Sequence, residues 1–177
     1  IAKAELIATA KDVSREYGED NPPLEIVYEG FVPGDTADDL DTPPTISTIA
    51  YVNSNVNDYS IFLFGGSDTN YTIVTSYLGV LTVTKATPTI TNFSDFTKTY
   101  GDADFDLSAT SNSPGAISYS IVGASNGTSL SGVGNKTVTL GNAGTVTLRV
   151  TVAGTANYES TTKDITLTID KKNLTIS

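Results

Sequence analysis

Apolar and polar side chains alternate along most of this chain with a period of two. Val146, Leu148, Val150 and Val152 face one way, while Thr147, Arg149 and Thr151 face the other. Ile165, Leu167 and Ile169 alternate with Thr166, Thr168 and Asp170, as Phe105, Leu107 and Ala109 do with Asp104, Asp106 and Ser108. This is the period of a strand whose two faces meet different surroundings. Such runs predict about seven strands in each half of the chain. In the first half they lie near 4–10, 13–17, 24–29, 45–52, 58–64, 71–76 and 78–84. In the second they lie near 87–92, 96–100, 104–109, 116–122, 136–140, 145–153 and 163–169. Turn signals separate them: Asn21-Pro22-Pro23, Pro33-Gly34-Asp35, Gly65-Gly66, Ser113-Pro114-Gly115 and Asn126-Gly127. Seven half-buried strands in about 85 residues fit a two-sheet sandwich.

The two halves repeat one another. "LTVTKATPTI" at 81–90 returns as "LTIDKKNLTI" at 167–176, and "IAKAELIATA" at 1–10 echoes both. Aligned, Lys3-Ala4, Lys85-Ala86 and Lys171-Lys172 fall in register, with spacings of 82 and 86. "SREYGED" at 14–20 matches "TKTYGDA" at 97–103, an offset of 83, and "TNYTI" at 69–73 matches "ANYES" at 156–160, an offset of 87. Separate matches in one order, drifting slightly for loop changes, mark a tandem duplication. The expected fold is all-β: two tandem immunoglobulin-like β-sandwich domains, at 1–85 and 86–170, with 171–177 the first strand of a following repeat. Only Lys85-Ala86 separates the closing strand of one module from the opening strand of the next. No Gly or Ser run intervenes, and Pro88 biases the crossing toward extended geometry. An end-to-end arrangement is therefore expected.

Composition sharpens this picture and removes several functions. The chain holds 28 Thr and 17 Ser, and no Cys, His, Met, Trp or Gln. Thr is β-branched and suits the solvent face of a pleated strand. Without His or Cys there is no Ser-His-Asp triad, Cys-His pair or His-ligated metal to build, so no enzyme is expected. Without Cys, ordinary hydrophobic cores must hold the sheets together. Net charge is −10, and 16–41 alone carries nine acids and no base. Such a surface repels phosphate backbones and anionic lipid, so neither nucleic acid nor a membrane surface is an expected partner. Self-repulsion through the same face favours a soluble monomer. No apolar run approaches the roughly 20 residues of a spanning helix. With no signal peptide and no initiator Met, the chain reads as a piece of something longer.

These residues also carry a family resemblance. "YGEDNPPLEIVYEGFVPGD" at 17–35, followed by "NDYSI", "TNYTI" and "GVLTVTKA", resembles the bacterial Ig-like repeat known as the MBG domain. The second module, from "TKTYGDADFDLSATSNSPGAISYSIVG" through "AGTANYESTTKDITLTIDK", is similar to a shorter relative in the same group, with "SNSPG" where the first has "GF…GD". The resemblance implies an extracellular or bacterial cell-surface location, within large secreted or surface-attached proteins of which many are adhesins. On that reading the modules are structural spacers that extend a binding tip from the cell, with neighbouring repeats of the same chain as their partners. The competing reading is that the modules themselves bind carbohydrate or a host or matrix protein.

Candidate sites are few. Asp102, Asp104 and Asp106 recur at period two, and Asp35, Asp38, Asp39 and Asp41 cluster in one loop. Calcium takes several carboxylate and carbonyl oxygens, so both sets are calcium candidates, although Leu107 stands where an EF-hand turn needs Gly. The bland alternative is a solvated strand face and an acidic loop. Tyr17 and Tyr100 precede glycines, and Tyr71 and Tyr158 follow asparagines, at matching places in the two modules. Recurrence at strand ends favours buried rings whose hydroxyls tie a strand to a loop over an exposed ligand platform. Five sequons, at Asn70, Asn92, Asn126, Asn135 and Asn173, are expected from composition alone. A Lys–Asn isopeptide bond would need both side chains buried beside a carboxylate. Phe62 and Phe64 share a face opposite Tyr59, Ile61 and Leu63, which makes one strand apolar on both sides. Cover by the 30–45 insert is the favoured explanation, ahead of contact with the next module or a ligand patch.

Overall fold

The computed structural model describes residues 2–174 and, within them, every side chain except those of residues 76 and 77. The chain divides into two compact units, Ile1–Ala86 and Thr87–Ser177. Among the described residues each is built from strands, apart from single 3-10 turns at Ala37–Asp39 and Val133–Asn135.

In the first unit the strands are β1 (Ala4–Ala10), β2 (Val13–Glu16), β3 (Ile26–Glu29), β4 (Thr45–Thr48), β5 (Asn57–Phe64), β6 (Tyr71–Tyr77) and β7 (Gly79–Thr84). They form two sheets, β3-β1-β6 and β2-β7-β5-β4. The opening strand serves both. As β1 it runs antiparallel to β3 and parallel to β6; after Lys11 and Asp12 it crosses over and, as β2, runs parallel to β7. Leu6, Ala8 and Ala10 alternate inward from β1, as Leu81 and Val83 do from β7. The expected run 45–52 stops at Thr48, where β4 leaves its ladder with β5. Two clusters make the core: Ala10, Ala50, Ile61, Leu81 and Val83 in one, and Leu6, Leu40 and Tyr71 in the other.

The second unit contains β8 (Ile90–Thr91), β9 (Phe96–Thr99), β10 (Phe105–Asp106), β11 (Thr110–Ser111), β12 (Ile117–Val122), β13 (Ser129–Ser131), β14 (Thr137–Thr139), β15 (Gly144–Val152) and β16 (Thr161–Asp170). Three sheets result: β12-β15-β16-β9, β10-β14-β13 and the pair β11-β8. Again the early strand β9 runs parallel to the closing strand β16. One cluster fills the interior around Phe93, Tyr119, Val138, Leu148 and Leu167.

Three expectations change here. The run 104–109 is two strands, because its backbone changes partner midway. β10 pairs with β14, and β11 pairs with β8. Between them Leu107 donates its N–H to the Lys136 carbonyl and Ala109 donates to the Tyr119 hydroxyl. The burial alternation of Leu107 and Ala109 survives the switch, which is why the sequence reads as continuous. Of 87–92 only Ile90 and Thr91 pair. β13 was not expected, since Ser-Leu-Ser offers a single apolar residue and no readable period. At the C-terminal end, 171–174 carry no strand and 175–177 lie outside the described residues, so the expected opening strand of a third repeat is not described.

Candidate functional site

The Tyr-Gly pairs are turns with an acid built in. In the first unit the Glu19 N–H reaches the Glu16 carbonyl at 3.3 Å, and the Glu19 carboxylate accepts the Glu16 N–H at 3.3 Å. In the second, the Asp102 N–H reaches the Thr99 carbonyl at 3.0 Å, and the Asp102 carboxylate accepts the Thr99 N–H at 2.9 Å. Gly18 and Gly101 sit third in these turns with φ of 87° and 85°, which the left-handed position of such a turn requires. Tyr17 and Tyr100 donate their N–H groups to Thr84 and Asp170, extending the parallel ladder by one rung. Asp102 is thus a turn residue and does not share a strand face with Asp104 and Asp106.

The remaining candidate acids, Asp38 apart, are likewise occupied. Asp104 accepts from the Thr139 hydroxyl at 2.9 Å, and Asp106 accepts from the Thr137 hydroxyl at 2.7 Å. Lys136 stands 2.8 Å from Asp106; that hydrogen bond, with the one from Thr137, holds the carboxyl below the ordinary carboxylate range. In the acidic insert, Asp39 accepts from both the N–H and the hydroxyl of Thr36, capping the 3-10 turn. Asp41 accepts from the N–H and hydroxyl of Thr69, and Asp35 accepts from the Tyr71 hydroxyl. Asp38 is exposed. Among the described residues no group of three or more His, Cys, Asp or Glu side chains is placed to hold a metal ion. The structure therefore does not gather either calcium candidate set into a ligand shell.

Asp68, which the sequence reading passed over, is the buried acid of the first unit. Its two oxygens accept the N–H groups of Asp41, Asn70 and Tyr71 at 3.1, 2.6 and 2.9 Å. The N–H bonds from Asp41 and Asn70 are the main reason its pKa is lowered. The place offset by 87 holds Thr155, whose hydroxyl accepts the N–H groups of Asn157 and Tyr158 at 3.3 and 3.1 Å. A charged and a neutral side chain perform one capping task. The signal was present in the sequence, as a short acceptor three residues before each Tyr.

Tyr71 is buried. Its hydroxyl donates to Asp35 at 2.7 Å and accepts the Val32 N–H at 3.0 Å, tying β6 to the insert. The bond to Asp35 raises the pKa of the hydroxyl. Tyr17 and Tyr158 are half-buried, whereas Tyr100 is exposed. A further buried ring, Tyr119, went unnoticed in sequence because its Ser-Tyr-Ser neighbours look like a solvent face. Three of the five sequon asparagines, Asn92, Asn126 and Asn135, have positive φ, so backbone geometry explains their identity. No Lys is buried among the described residues, which removes the setting a Lys–Asn crosslink needs.

The insert leaves Phe64 exposed, while Phe62 is half-buried. The insert's apolar residues Phe31 and Leu40 pack on Tyr71 and Leu6 instead. Phe64 remains 52% exposed, with the Phe62 ring 6.0 Å away.

A cleft of about 260 Å³ lies in the second unit beside β9 and β10. Phe96 and Phe105 form its walls, with ring centroids 5.5 Å apart and planes at 88°. Leu107 and Ile165 lie beneath, Asn92 and Ser108 line it, and the Lys98 ammonium stands 4.7 Å from the Phe105 centroid.

Residues 6–82 match the family model described as MBG domain (YGX type), which bears out the resemblance read from the first module. No curated protein matches the chain. Among solved structures, Drosophila N-cadherin EC1-3 aligns at 13% identity over 97% of this chain and 68% of its own, with a TM-score of 0.38. The titin domains Z1Z2, solved in complex with telethonin, align at 17% identity over 93% of this chain and 94% of theirs, with a TM-score of 0.37. The N-terminal part of the bacterial S-layer protein SbsC aligns at 17% identity over 92% of this chain and 44% of its own, with a TM-score of 0.30. Likeness at these scores carries no argument about ligands or assembly.

Proposed function

We propose that this chain is a non-catalytic, load-bearing spacer segment of a bacterial surface protein, working outside the cell to carry a binding region away from it. The MBG match to the first unit supports the surface-protein setting. One structural observation carries the mechanical part. In both units the early strand pairs in parallel with the closing strand: Val13–Glu16 with Leu81–Thr84, and Phe96–Thr99 with Leu167–Asp170. Tension at the two ends of a unit pulls such a pair along its own axis in opposite directions. All the rungs then bear load together, in shear, and none can open ahead of the others. An antiparallel terminal pair would peel rung by rung. The short crossing through Lys85-Ala86 offers no slack coil to absorb extension first.

Force spectroscopy on a single tethered chain tests this. Two discrete unfolding events are expected, each releasing about 250 Å of chain, from ~86 residues at roughly 3.3–3.6 Å each less the folded span. Ser14→Pro, which removes an N–H from β2, should lower the force of one event only. Smooth low-force extension of the unmodified chain would end the spacer reading.

A further inference from the structure

At one equivalent position the first unit encloses a cation within its own loops, and the second leaves one half-exposed. Arg15 stands opposite Val83 in the β2–β7 ladder, and Lys98 opposite Ile169 in the β9–β16 ladder. The offsets of 83 and 86 make these the same place in the repeat. Arg15 is buried, and each of its three guanidinium nitrogens donates a hydrogen bond. Its guanidinium donates to Asn21 Oδ1 at 2.7 Å, to the Glu16 carbonyl at 3.0 Å and to the Tyr51 carbonyl. Asn21 is itself held by the Ala50 carbonyl at 2.7 Å, so two loops of the first unit close over the charge.

Lys98 has no such cover. Among the described residues it makes no hydrogen bond or ion pair, and its ammonium rests over the Phe105 ring. A cation–π contact orients an ammonium but leaves its N–H donors open to solvent or a ligand. Asp106, the carboxylate on the same cleft, is already engaged by Lys136 and Thr137. The cleft thus presents a free ammonium, an aromatic corner, and a lining with an amide and hydroxyls. Its volume falls below the ~300 Å³ at which sites for drug-sized ligands begin.

We propose that this cleft binds a single carboxylated sugar ring, a uronic acid residue of an acidic glycan. The carboxylate would take the charge-assisted bond that Lys98 lacks. The C–H face of the ring would lie against Phe96 or Phe105, and the ring hydroxyls would meet Asn92 and Ser108. Each part of the ligand answers one feature of the site: a neutral sugar leaves the ammonium unpaired, and a bare carboxylate leaves the aromatic walls uncovered. The inference stands apart from the spacer reading, since a spacer can carry such a contact along its length.

The test is an amide-shift NMR titration of the full chain with D-glucuronate, D-glucose and acetate. Saturable shifts centred on Asn92, Lys98 and Ser108 are expected. Glucuronate should bind about tenfold more tightly than either of the others, the worth of one charged hydrogen bond. Added salt should narrow the difference. Lys98→Met should bring glucuronate down to the level of glucose, while Lys98→Arg should keep the preference. Equal binding of glucuronate and glucose, shifts scattered away from the cleft, no saturation with any of the three, or an unchanged preference in Lys98→Met would each overturn the proposal. Should Lys98→Met fail to fold, the comparison of the three ligands on the unmodified chain decides the matter.

Discussion

Replacing Tyr119 with Phe removes one oxygen and tests how the second unit is held together. The Tyr119 hydroxyl accepts the Ala109 N–H at 2.8 Å, at the point where the chain has left β10 and not yet joined β11. Ala109 is 8% exposed and Tyr119 is 5% exposed, so water has little access to replace the lost acceptor. The ring keeps its place beside Phe93, with centroids 5.8 Å apart, so little packing is lost. What remains is a buried amide without a partner, which costs about 1–3 kcal/mol. A surface Tyr→Phe change, by contrast, stays within roughly 0.5 kcal/mol. For a domain of this size each kcal/mol moves Tm by roughly 4–8 °C, so a central loss of about 2 kcal/mol predicts a fall of roughly 8–16 °C. Calorimetry of the whole chain should show the fall in the transition of the second unit alone, and amide exchange should show Ala109 losing protection. A fall under about 2 °C, with Ala109 still protected, would mean that the hydroxyl is not the partner that closes this strand switch.

Two further perturbations follow from the repeat. Gly18→Ala and Gly101→Ala should each destabilise their own unit by about 1 kcal/mol, with Asn recovering part of it. Both positions have positive φ and nothing within 4 Å of an added Cβ, so the cost is conformational and not steric; equal denaturation midpoints for the parent and either Ala variant would refute the turn assignment. Acid should act on the first unit through Asp68. Its pKa is depressed below the ordinary 3.8, so the stability it lends is present above that pH and is lost as pH falls through the lower folded value. Asp68→Asn should flatten that acid dependence while lowering stability at neutral pH. A melting profile for Asp68→Asn as steep in acid as that of the unmodified chain would assign the dependence elsewhere.

The period-two pattern made the strands legible because the two faces of each strand meet different media, and the pattern records that directly. It located β1, β5, β7, β15 and β16 to within two residues at every end. It failed where the partner across the ladder mattered more than the face. The run 104–109 kept its alternation while changing partners, and nothing along one strand reports such a change. The same limit explains the acids. Asp104 and Asp106 share a face in sequence, but their fate is set by Thr139, Thr137 and Lys136, thirty or more residues away. Phe62 and Phe64 were correctly read as apolar on a second face, yet the pattern could not say which segment would lie over them. The insert spent its own apolar residues on Tyr71 and Leu6.

The duplication itself sorts function from scaffold. Where the two units share a backbone task, their side chains differ and the task survives: Glu19 and Asp102 close the same turn, and Asp68 and Thr155 each accept the N–H of the Tyr three residues on. These swaps are tolerated because a short acceptor at the right distance is all the backbone N–H requires. Arg15 and Lys98 break the pattern. Both units place a cation at the same ladder position, but only the first supplies acceptors from its own loops. The Lys98 ammonium gains the modest stability of its contact with the Phe105 ring and keeps its N–H donors for solvent or a ligand. Of the paired positions compared above, Lys98 is the one where an acceptor from outside the chain would stand in for those that the first unit supplies itself.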